Sequence, residues 1–300
     1  MYVGRFAPSP TGPLHFGSMV TAVASYLDAR KHAGRWLLRI EDIDKPREQP
    51  GAADSILHTL ESFALHWDGP VLYQSQRLAT YQAAAERLRV LGHSFACACT
   101  RREIADSTLP GHEGLIYPGT CRNGILKDQP ARAVRLRVDD QPIVVEDRLQ
   151  GRFEQHLARD VGDFVITRAD GFIAYQLAVV VDDAEQQVTD VVRGSDLLFS
   201  TPRQIFLQRQ LGYSTPNYLH IPVAVNARGE KLSKQTHAPQ LGTSLETQNT
   251  QALAYAILEF LGQEIAPAAA HLPLEELWAQ AAHMWDPQRL PPLRQIIINV

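Results

Sequence analysis

Long hydrophobic runs are missing from this sequence of 300 residues, although 45% of its residues are hydrophobic. No stretch approaches the run of about 20 apolar residues that a transmembrane helix needs. The chain also begins directly with a β-prone segment and lacks the basic, apolar and small-residue pattern of a secretory signal. We therefore expect a cytoplasmic protein that does not associate with a membrane.

Cysteine is also scarce, and its three copies are clustered at Cys97, Cys99 and Cys121. An odd number of cysteines in a reducing compartment does not suggest a disulfide framework. The clustering favours one structural zinc ion, while three inert apolar thiols remain the alternative. Tetrahedral zinc needs a fourth ligand, and on chemistry alone His112 is the first candidate because imidazole commonly accompanies thiolates.

Excess positive charge, the usual sign of broad nucleic-acid binding, is absent. The formal net charge is −4, and residues 238–300 account for all of it with six acidic and two basic side chains. In residues 1–237 the acidic and basic side chains are equal in number. If the protein binds nucleic acid, its C-terminal segment is a poor candidate for extensive phosphate contacts.

The first eighteen residues contain a candidate phosphate site. A β-prone run, Tyr2–Phe6, is followed by a proline-rich loop and then by a helix with apolar periodicity that starts near His15. A helix N-terminus presents N–H groups and a positive dipole end, which suit phosphate, and glycines let a nucleotide approach the backbone. The candidate nucleotide-binding residues are Pro8, Gly12, His15, Gly17 and Ser18.

The order of helices and strands predicts an α/β protein. The helix from His15 to His32 precedes a buried strand, Trp36–Ile40, with polar residues at its carboxyl end. This unit is typical of a Rossmann-like, doubly wound parallel sheet, in which ligands bind at the strand ends. Further strands are expected at Thr189–Gly194 and Leu219–Val225, with a helix, Thr201–Leu211, between them.

Changes of character along the chain predict its domains. Residues 94–161 lose helical periodicity and read as an inserted domain of mixed α+β structure that carries the zinc site. The Rossmann-like catalytic domain then comprises residues 1–93 and 162–240. Residues 241–300 are expected to form a small helical subdomain, with helices at Thr250–Leu261 and Leu274–Met284.

Two motifs resemble those of a known family. The run FAPSPTG from Phe6, followed by HFGS from His15, is similar to the opening of the glutamyl-tRNA synthetases, class I aminoacyl-tRNA synthetases whose "HIGH" motif binds ATP. The run KLSK from Lys231 resembles their "KMSKS" loop. The sequence departs from the family pattern at Phe16, Ser18 and Gln235, and Ser18 leaves one imidazole instead of two near the phosphates.

The resemblance implies an ATP site with His15, Lys231 and Lys234 as catalytic residues and Ser233 as a further ATP ligand. In an in-line displacement at the α-phosphate, negative charge develops on the departing pyrophosphate, and a lysine stabilises that charge. No general base is needed, because the attacking amino-acid carboxylate is already ionised near pH 7.

The resemblance also implies a glutamate pocket, in which arginine forks suit the two carboxylates and one carboxylate suits the ammonium. The matching positions are Arg5, Ala7, Ser9, Glu41, Tyr175 and Arg193. Related short synthetase-like proteins have a phenolate zinc ligand at the position of Tyr117, so the resemblance favours Tyr117 over His112.

The match covers about residues 1–240 and implies a truncated family member without an anticodon-binding domain. Such a protein activates L-glutamate with ATP and Mg²⁺ without tRNA and transfers it to the queuosine base of tRNA(Asp), and we expect a monomer. Three alternatives stay open. They are a truncated glutamyl- or glutaminyl-tRNA synthetase that charges an acceptor 3′ end, a HxGH nucleotidyltransferase that makes a small metabolite, and a non-enzymatic RNA-binding paralogue.

Overall fold

The computed structural model describes residues 1–107, 110–111, 114–125, 129–229, 250–266, 269 and 272–298. The helices are α1 (Phe16–Lys31), α2 (Ala52–Ser62), α3 (Leu78–Val90), α4 (Arg101–Asp106), α5 (Leu157–Asp160), α6 (Tyr175–Glu185), α7 (Thr201–Leu211), α8 (Thr250–Phe260) and α9 (Leu274–Met284). Within these described ranges, no helix combines the length and the apolar character that a bilayer crossing requires.

The strands alternate with these helices in the first and last thirds of the described chain. They are β1 (Val3–Phe6), β2 (Arg35–Ile40), β3 (Leu72–Tyr73), β4 (Ser94–Cys97), β5 (Pro110–Gly111), β6 (Gly114–Leu115), β7 (Ala133–Leu136), β8 (Pro142–Asp147), β9 (Gly151–His156), β10 (Val165–Thr167), β11 (Asp190–Gly194), β12 (Asn217–Ile221), β13 (Val223–Val225) and β14 (Gln295–Ile297).

Two parallel sheets meet at β1 and β11. In the first sheet β1 pairs with β2 and β2 with β3, and in the second β11 pairs with β12. Thr189, just before β11, donates its N–H to the Val3 carbonyl at 2.9 Å, which sets the two sheets side by side. The resulting strand order is β3-β2-β1-β11-β12. Successive strands are added on one side from β1 to β3 and on the other side from β11 to β12, and this change of side between β1 and β11 is typical of a doubly wound fold. The predicted Rossmann-like class is therefore confirmed.

Helix α1 is buried by the sheet on one side and by the C-terminal helices on the other. Met19, Val23 and Leu27 have no exposed surface. Its buried polar groups are satisfied, because the Ser25 hydroxyl accepts the indole N–H of Trp36 at 3.0 Å. Asp28 accepts hydrogen bonds from Tyr2, Arg148 and Trp285. A helix that is apolar on most faces is accordingly fixed at both of its interfaces.

The predicted C-terminal helices are present as α8 and α9, and both pack into the same apolar core as α1 and β2. The Trp278 indole N–H donates to the Phe63 carbonyl at 2.6 Å, which fastens α9 to the end of α2. The segment also contains β14, which the sequence analysis does not predict and which pairs in parallel with β13. The predicted strand Leu219–Val225 is divided at Pro222 into β12 and β13.

The cysteine-bearing region contains a small antiparallel sheet of β4, β7 and β10. The β8–β9 hairpin, which lies within the predicted insertion, joins the second parallel sheet instead, because Asp147 of β8 pairs with Tyr218 of β12. The domain boundaries stay predictions, but this hairpin brings residues of the 94–161 segment next to the carboxyl ends of the central strands.

Candidate active site and metal centre

A cavity of about 490 Å³ opens at the carboxyl ends of β1, β2 and β11. It therefore lies where the strand order reverses, which is the usual ligand position in a doubly wound sheet. The loop after β1, the first turn of α1 and the residues that follow β11 form its walls.

Backbone hydrogen bonds hold the loop between β1 and α1 in place. The Pro8 carbonyl accepts the Glu41 N–H at 3.0 Å, and the Pro10 carbonyl accepts the Gln49 N–H at 2.9 Å. Gly12 has a φ of 132°, a conformation that side chains with a Cβ rarely adopt. The loop is thereby fixed against the segment that follows β2, and the Glu41 side chain is brought to the cavity.

His15 is the N-cap residue of α1. Its Nδ1 accepts the Ser18 N–H at 3.3 Å, so in the neutral ring the proton belongs to Nε2. His15, Gly17 and Ser18 all line the cavity. The first N–H groups of a helix have no partner within that helix, so this end of α1 presents donors and a positive dipole end to the cavity.

Ten of the residues predicted from the sequence line this one cavity. They are Arg5, Ala7, Pro8, Ser9, His15, Gly17, Ser18, Glu41, Tyr175 and Arg193. Gly12 belongs to the loop but not to the lining. The predicted residues Lys231, Ser233 and Lys234, and the alternative zinc ligand His112, lie outside the described residues.

Arg5 and Arg39 share a buried carboxylate. Oδ1 of Asp183, on α6, lies 3.2 Å from Arg5 Nε and 2.6 Å from Arg39 Nη2. Burial opposes ionisation of Asp183, but the two guanidinium groups outweigh it and lower its pKa. Arg5 is 4% exposed, lines the cavity and uses only Nε in its contact with Asp183.

Glu41 carries an unusual charge state. Its Oε1 lies 3.7 Å from Arg39 Nε, which is too long for a hydrogen bond. Burial raises the pKa of Glu41 to about 7, and the neighbouring carboxylates Asp182 and Asp183 add to the shift against the opposing effect of Arg39 and Arg5. A carboxyl poised near neutrality gains from a cation in the cavity.

Arg193, the fourth residue of β11, is held by a neutral set of partners. Its Nε donates to His220 Nε2 at 3.0 Å, and its Nη2 donates to the Thr201 hydroxyl at 2.8 Å. Nη1 is buried and has no hydrogen-bond partner among the described residues. This leaves two N–H groups of Arg193 for a ligand.

The sequence analysis does not predict the contact between Arg39 and Asp183 behind the cavity. The sequence analysis places Arg39 within a buried strand, Trp36–Ile40, and assigns no role to Asp183. The available signal was a charge within an apolar run, such as Arg39 between Leu38 and Ile40, because a buried charge needs a partner. The sequence does not say which partner, since Arg39 and Asp183 are 144 positions apart.

The three cysteines come together in the described structure. Their sulfurs all lie within 4.8 Å of one another, and those of Cys99 and Cys121 are 3.5 Å apart. The Tyr117 hydroxyl oxygen lies 3.5 Å from Cys97 Sγ and 3.8 Å from Cys99 Sγ. Cys97 and Cys121 are buried, and Cys99 is partly exposed.

These spacings fit zinc. Zn–S bonds of about 2.3 Å in a tetrahedron place sulfurs about 3.8 Å apart, and a Zn–O bond of about 2.0 Å places the oxygen about 3.5 Å from each sulfur. The cluster could therefore hold one zinc ion through three thiolates, with the Tyr117 oxygen at the fourth corner.

Arg135 supplies positive charge beside this cluster. Its Nε donates to Cys97 Sγ at 3.3 Å, and its guanidinium carbon lies 3.8 Å from the centre of the Tyr117 ring. Burial alone would raise the pKa of the Cys97 thiol, but the contacts with Tyr117 and Arg135 lower it on balance. A nearby cation favours the thiolate form of Cys97 that binds metal, whereas burial raises the pKa of the Tyr117 phenol.

Both the fold and the sequence match known proteins. A crystal structure of the glutamate-tRNA synthetase from Elizabethkingia anophelis superposes with a TM-score of 0.80 at 23% identity, over 98% of this chain and 68% of that one. The family model for the catalytic domain of class I tRNA synthetases (E and Q) matches residues 2–271. The chain therefore belongs to the class I tRNA synthetases (E and Q), and it is an enzyme of the ligase type.

Three relatives within that family share one narrower name. The glutamyl-Q tRNA(Asp) synthetase of Chromobacterium violaceum is 57% identical over 97% of this chain and 96% of its own length. The glutamyl-Q tRNA(Asp) synthetases of Dechloromonas aromatica and Pseudomonas entomophila are 56% and 52% identical over 99% and 96% of this chain.

Replacement of Tyr117 by phenylalanine tests the fourth corner of the metal centre. We expect Tyr117→Phe to weaken zinc binding, because only the phenolic oxygen is lost. The measurement is zinc content after dialysis against a graded series of chelator concentrations. Tyr213→Phe, at a half-buried tyrosine outside the cluster, is the matched control. Unchanged zinc retention in Tyr117→Phe would exclude Tyr117 as a ligand.

A substitution at Gly162 tests whether the backbone sets the position of Tyr117. Gly162 has a φ of 75°, and an added Cβ would lie 2.5 Å from the Tyr117 carbonyl oxygen. Gly151 has a φ of 74° and open space around it, so alanine there carries the same conformational cost without the clash. We expect Gly162→Ala, but not Gly151→Ala, to weaken zinc binding in the same dialysis series. Equal zinc retention in the two variants would contradict this expectation.

Proposed function

We propose that the chain activates L-glutamate with ATP to glutamyl-adenylate and transfers the glutamate to the queuosine base in the anticodon of tRNA(Asp). One observation carries the proposal: a capped helix N-terminus suited to phosphate shares a cavity with two arginines and a carboxyl group suited to glutamate. The names of the relatives described above support the choice of tRNA(Asp) as the acceptor.

The glutamate substrate has two carboxylates and one ammonium, and the cavity offers a partner for each. Arg193 presents Nη1 and Arg5 presents its outer nitrogens to the carboxylates. Glu41 receives the ammonium, which replaces the proton that Glu41 otherwise holds near neutral pH. Ser9 and Tyr175 add hydroxyl groups, and Ala7 also lines the cavity.

ATP binds along the loop after β1 and the first turn of α1. Pro8 and Gly12 shape the loop, Gly17 offers an N-terminal N–H group of the helix, and Ser18 offers its hydroxyl group, because its N–H donates to His15. His15 donates from Nε2 to a phosphate oxygen, since Nδ1 is used within the cap. Lys231, Ser233 and Lys234, predicted from the sequence to contact the phosphates, complete the site in this proposal. Mg²⁺ supplies further neutralisation of the phosphate charge when it is bound.

Activation is a single displacement that needs no proton transfer. An oxygen of the glutamate α-carboxylate forms a bond to the α-phosphorus, and the bond from that phosphorus to the oxygen bridging the β-phosphorus breaks. Pyrophosphate leaves with the electron pair, so negative charge grows on it in the transition state. Cationic and N–H groups at the phosphate end of the cavity stabilise that charge.

The zinc ion has a structural role in this proposal. Cys97, Cys99, Cys121 and Tyr117 hold it, and none of the four lines the cavity. The sulfur cluster is also the centre of a small separate core that includes Phe95 and Ile104. We propose that the protein acts as a monomer with a limited RNA footprint, in keeping with its formal net charge of −4.

Glutamate-dependent ATP–pyrophosphate exchange tests the activation step. We expect exchange without tRNA, followed by transfer of glutamate to tRNA(Asp) that contains queuosine and none to tRNA(Asp) that lacks it. His15→Ala should lower exchange by about 10²–10³-fold, as for other donors to a developing anion. His58→Ala, at an exposed position on α2, is the control and should not alter it.

Other outcomes of this assay would support the alternatives. Charging of a tRNA(Glu) acceptor end would indicate a truncated glutamyl- or glutaminyl-tRNA synthetase. Exchange stimulated by compounds other than glutamate would indicate a nucleotidyltransferase that makes a small metabolite. A complete lack of exchange under any condition would contradict the proposal and favour a non-enzymatic role.

The pKa of Glu41 predicts how glutamate binding depends on pH. Below pH 7 the carboxyl is protonated and neutral, so it no longer attracts the substrate ammonium; above pH 7 it is ionised. The KM for glutamate should therefore rise about tenfold between pH 8 and pH 6. The exposed acid Glu86 provides the control: Glu86→Gln should keep this dependence, whereas Glu41→Gln should bind weakly at both pH values. A wild-type KM that is constant from pH 8 to pH 6 would contradict the assignment of Glu41.

A further inference from the structure

Arg193 is the cavity arginine whose orientation is most completely determined within the described chain. Nε donates to the His220 ring, and Nη2 contacts the Thr201 hydroxyl and, at 3.4 Å, the Leu197 carbonyl. The guanidinium carbon also lies 5.4 Å from the centre of the Tyr218 ring. Three N–H groups are thus occupied by protein, and the two on Nη1 are the ones without a described partner.

His220 can accept from Arg193 only in one tautomer, and Asp147 imposes it. Asp147 Oδ2 lies 2.6 Å from His220 Nδ1, so the ring proton is on Nδ1 and the lone pair on Nε2 faces Arg193. Both side chains are fully buried. Burial and the adjacent Arg193 lower the pKa of His220 to about 4, which keeps the ring neutral at pH 7.

Asp147 is itself held from two directions. Its Oδ1 accepts the N–H groups of Leu149 at 3.0 Å and Gln150 at 2.8 Å, within the turn between β8 and β9. Its carboxylate also accepts the His220 N–H at 3.1 Å. A carboxylate that accepts several backbone N–H groups stays ionised and keeps its position. It therefore holds the imidazole in one orientation.

We infer that Asp147 and His220 are positioning residues for glutamate, which orient Arg193 so that Nη1 faces the substrate. This inference rests on the proposed function. It extends the amino-acid site by two side chains that do not line the cavity, one of them from the β8–β9 hairpin. Neither residue touches the substrate, and both act through Arg193.

Arg193 differs from Arg5 in that its described hydrogen-bond partners carry no charge. Arg5 donates to a carboxylate, Asp183, which offsets part of its charge. The described hydrogen-bond partners of Arg193 are an imidazole, a hydroxyl and a carbonyl. Arg193 is therefore fixed by hydrogen bonds without a directly bonded anion among the described residues.

Two substitutions of His220 separate positioning from general stability. The side-chain amide of asparagine lies near the place of Nδ1, so His220→Asn keeps a donor for Asp147 but loses the acceptor for Arg193. The amide of glutamine reaches the place of Nε2, so His220→Gln keeps that acceptor. We expect His220→Asn to raise the KM for glutamate about tenfold or more, the effect of one lost hydrogen bond to a charged group. The value of kcat and the KM for ATP should stay within about threefold, and His220→Gln should restore most of the affinity for glutamate.

The control is Asp163→Asn, which alters another buried carboxylate that accepts hydrogen bonds from Arg122 and the Val138 N–H and does not line the cavity. It should lower the thermal unfolding temperature without changing the KM for glutamate. Equal KM values for His220→Asn and the wild type, or equal increases in the Asn and Gln variants, would overturn the inference.

Calorimetric titration of the wild type and both variants with glutamate gives the same comparison without catalysis. Wild-type binding without exchange would refute the proposed activity, and the Asn-to-Gln comparison would still test the inference. Wild-type exchange with unaltered affinity in His220→Asn would refute the inference alone. If the wild type does not bind glutamate, both are refuted.

Discussion

The ionic contact on which the rest of the site depends is the pair of bonds from Arg5 and Arg39 to Asp183. These residues come from β1, β2 and α6, so the contact fixes the helix against two adjacent strands at the floor of the cavity. Removal of one partner from a buried pair typically costs about 3–5 kcal/mol, because the other charge is left without compensation. Loss of Asp183 would be of this kind, since it would leave two buried guanidinium groups.

The contact of Arg5 and Arg39 with Asp183 also determines which charges surround Glu41. With Arg5 and Arg39 directed to Asp183, the cationic atom nearest to the Glu41 carboxyl among the described residues is Arg39 Nε at 3.7 Å. Asp182 also lies 3.8 Å from Arg39 Nε, but its hydrogen bonds come from Arg77, Gln74 and Tyr81. Within the described part of the chain, Glu41 is therefore a buried carboxyl with a raised pKa and no hydrogen-bonded cation, which suits it to the substrate ammonium in the proposed function.

Apolar periodicity and the order of strands and helices made most of the fold predictable from the sequence. The helices at α1, α7, α8 and α9 follow from apolar periodicity, and the Rossmann-like class follows from the strand–helix–strand order of the first forty residues. The cavity residues came from resemblance, since an isolated Arg5 or Glu41 in a sequence is most often part of an ordinary ion pair. Asp147 and His220 could not be found in this way. Their contact joins positions 73 apart, and it depends on the pairing of β8 with β12, which no local pattern encodes. The short strand β14 was missed because three residues are too few to show a period.

The position of Asp147 has a consequence for how the middle of the chain relates to the catalytic cavity. The β8–β9 hairpin lies within residues 94–161, which the sequence analysis treats as an insertion, yet Asp147 at its turn accepts hydrogen bonds from the backbone and ring of His220 on β12. A shift of the hairpin along β12 would break both bonds and release the ring that orients Arg193. Asp147, His220, Thr201 and Arg193 have side chains that are buried or nearly so, hence water could not replace the lost bonds without entering the core. The hairpin is therefore part of the rigid frame of the proposed amino-acid site, and the cysteine cluster, which contacts none of these four residues among its described hydrogen bonds, belongs to a separate support.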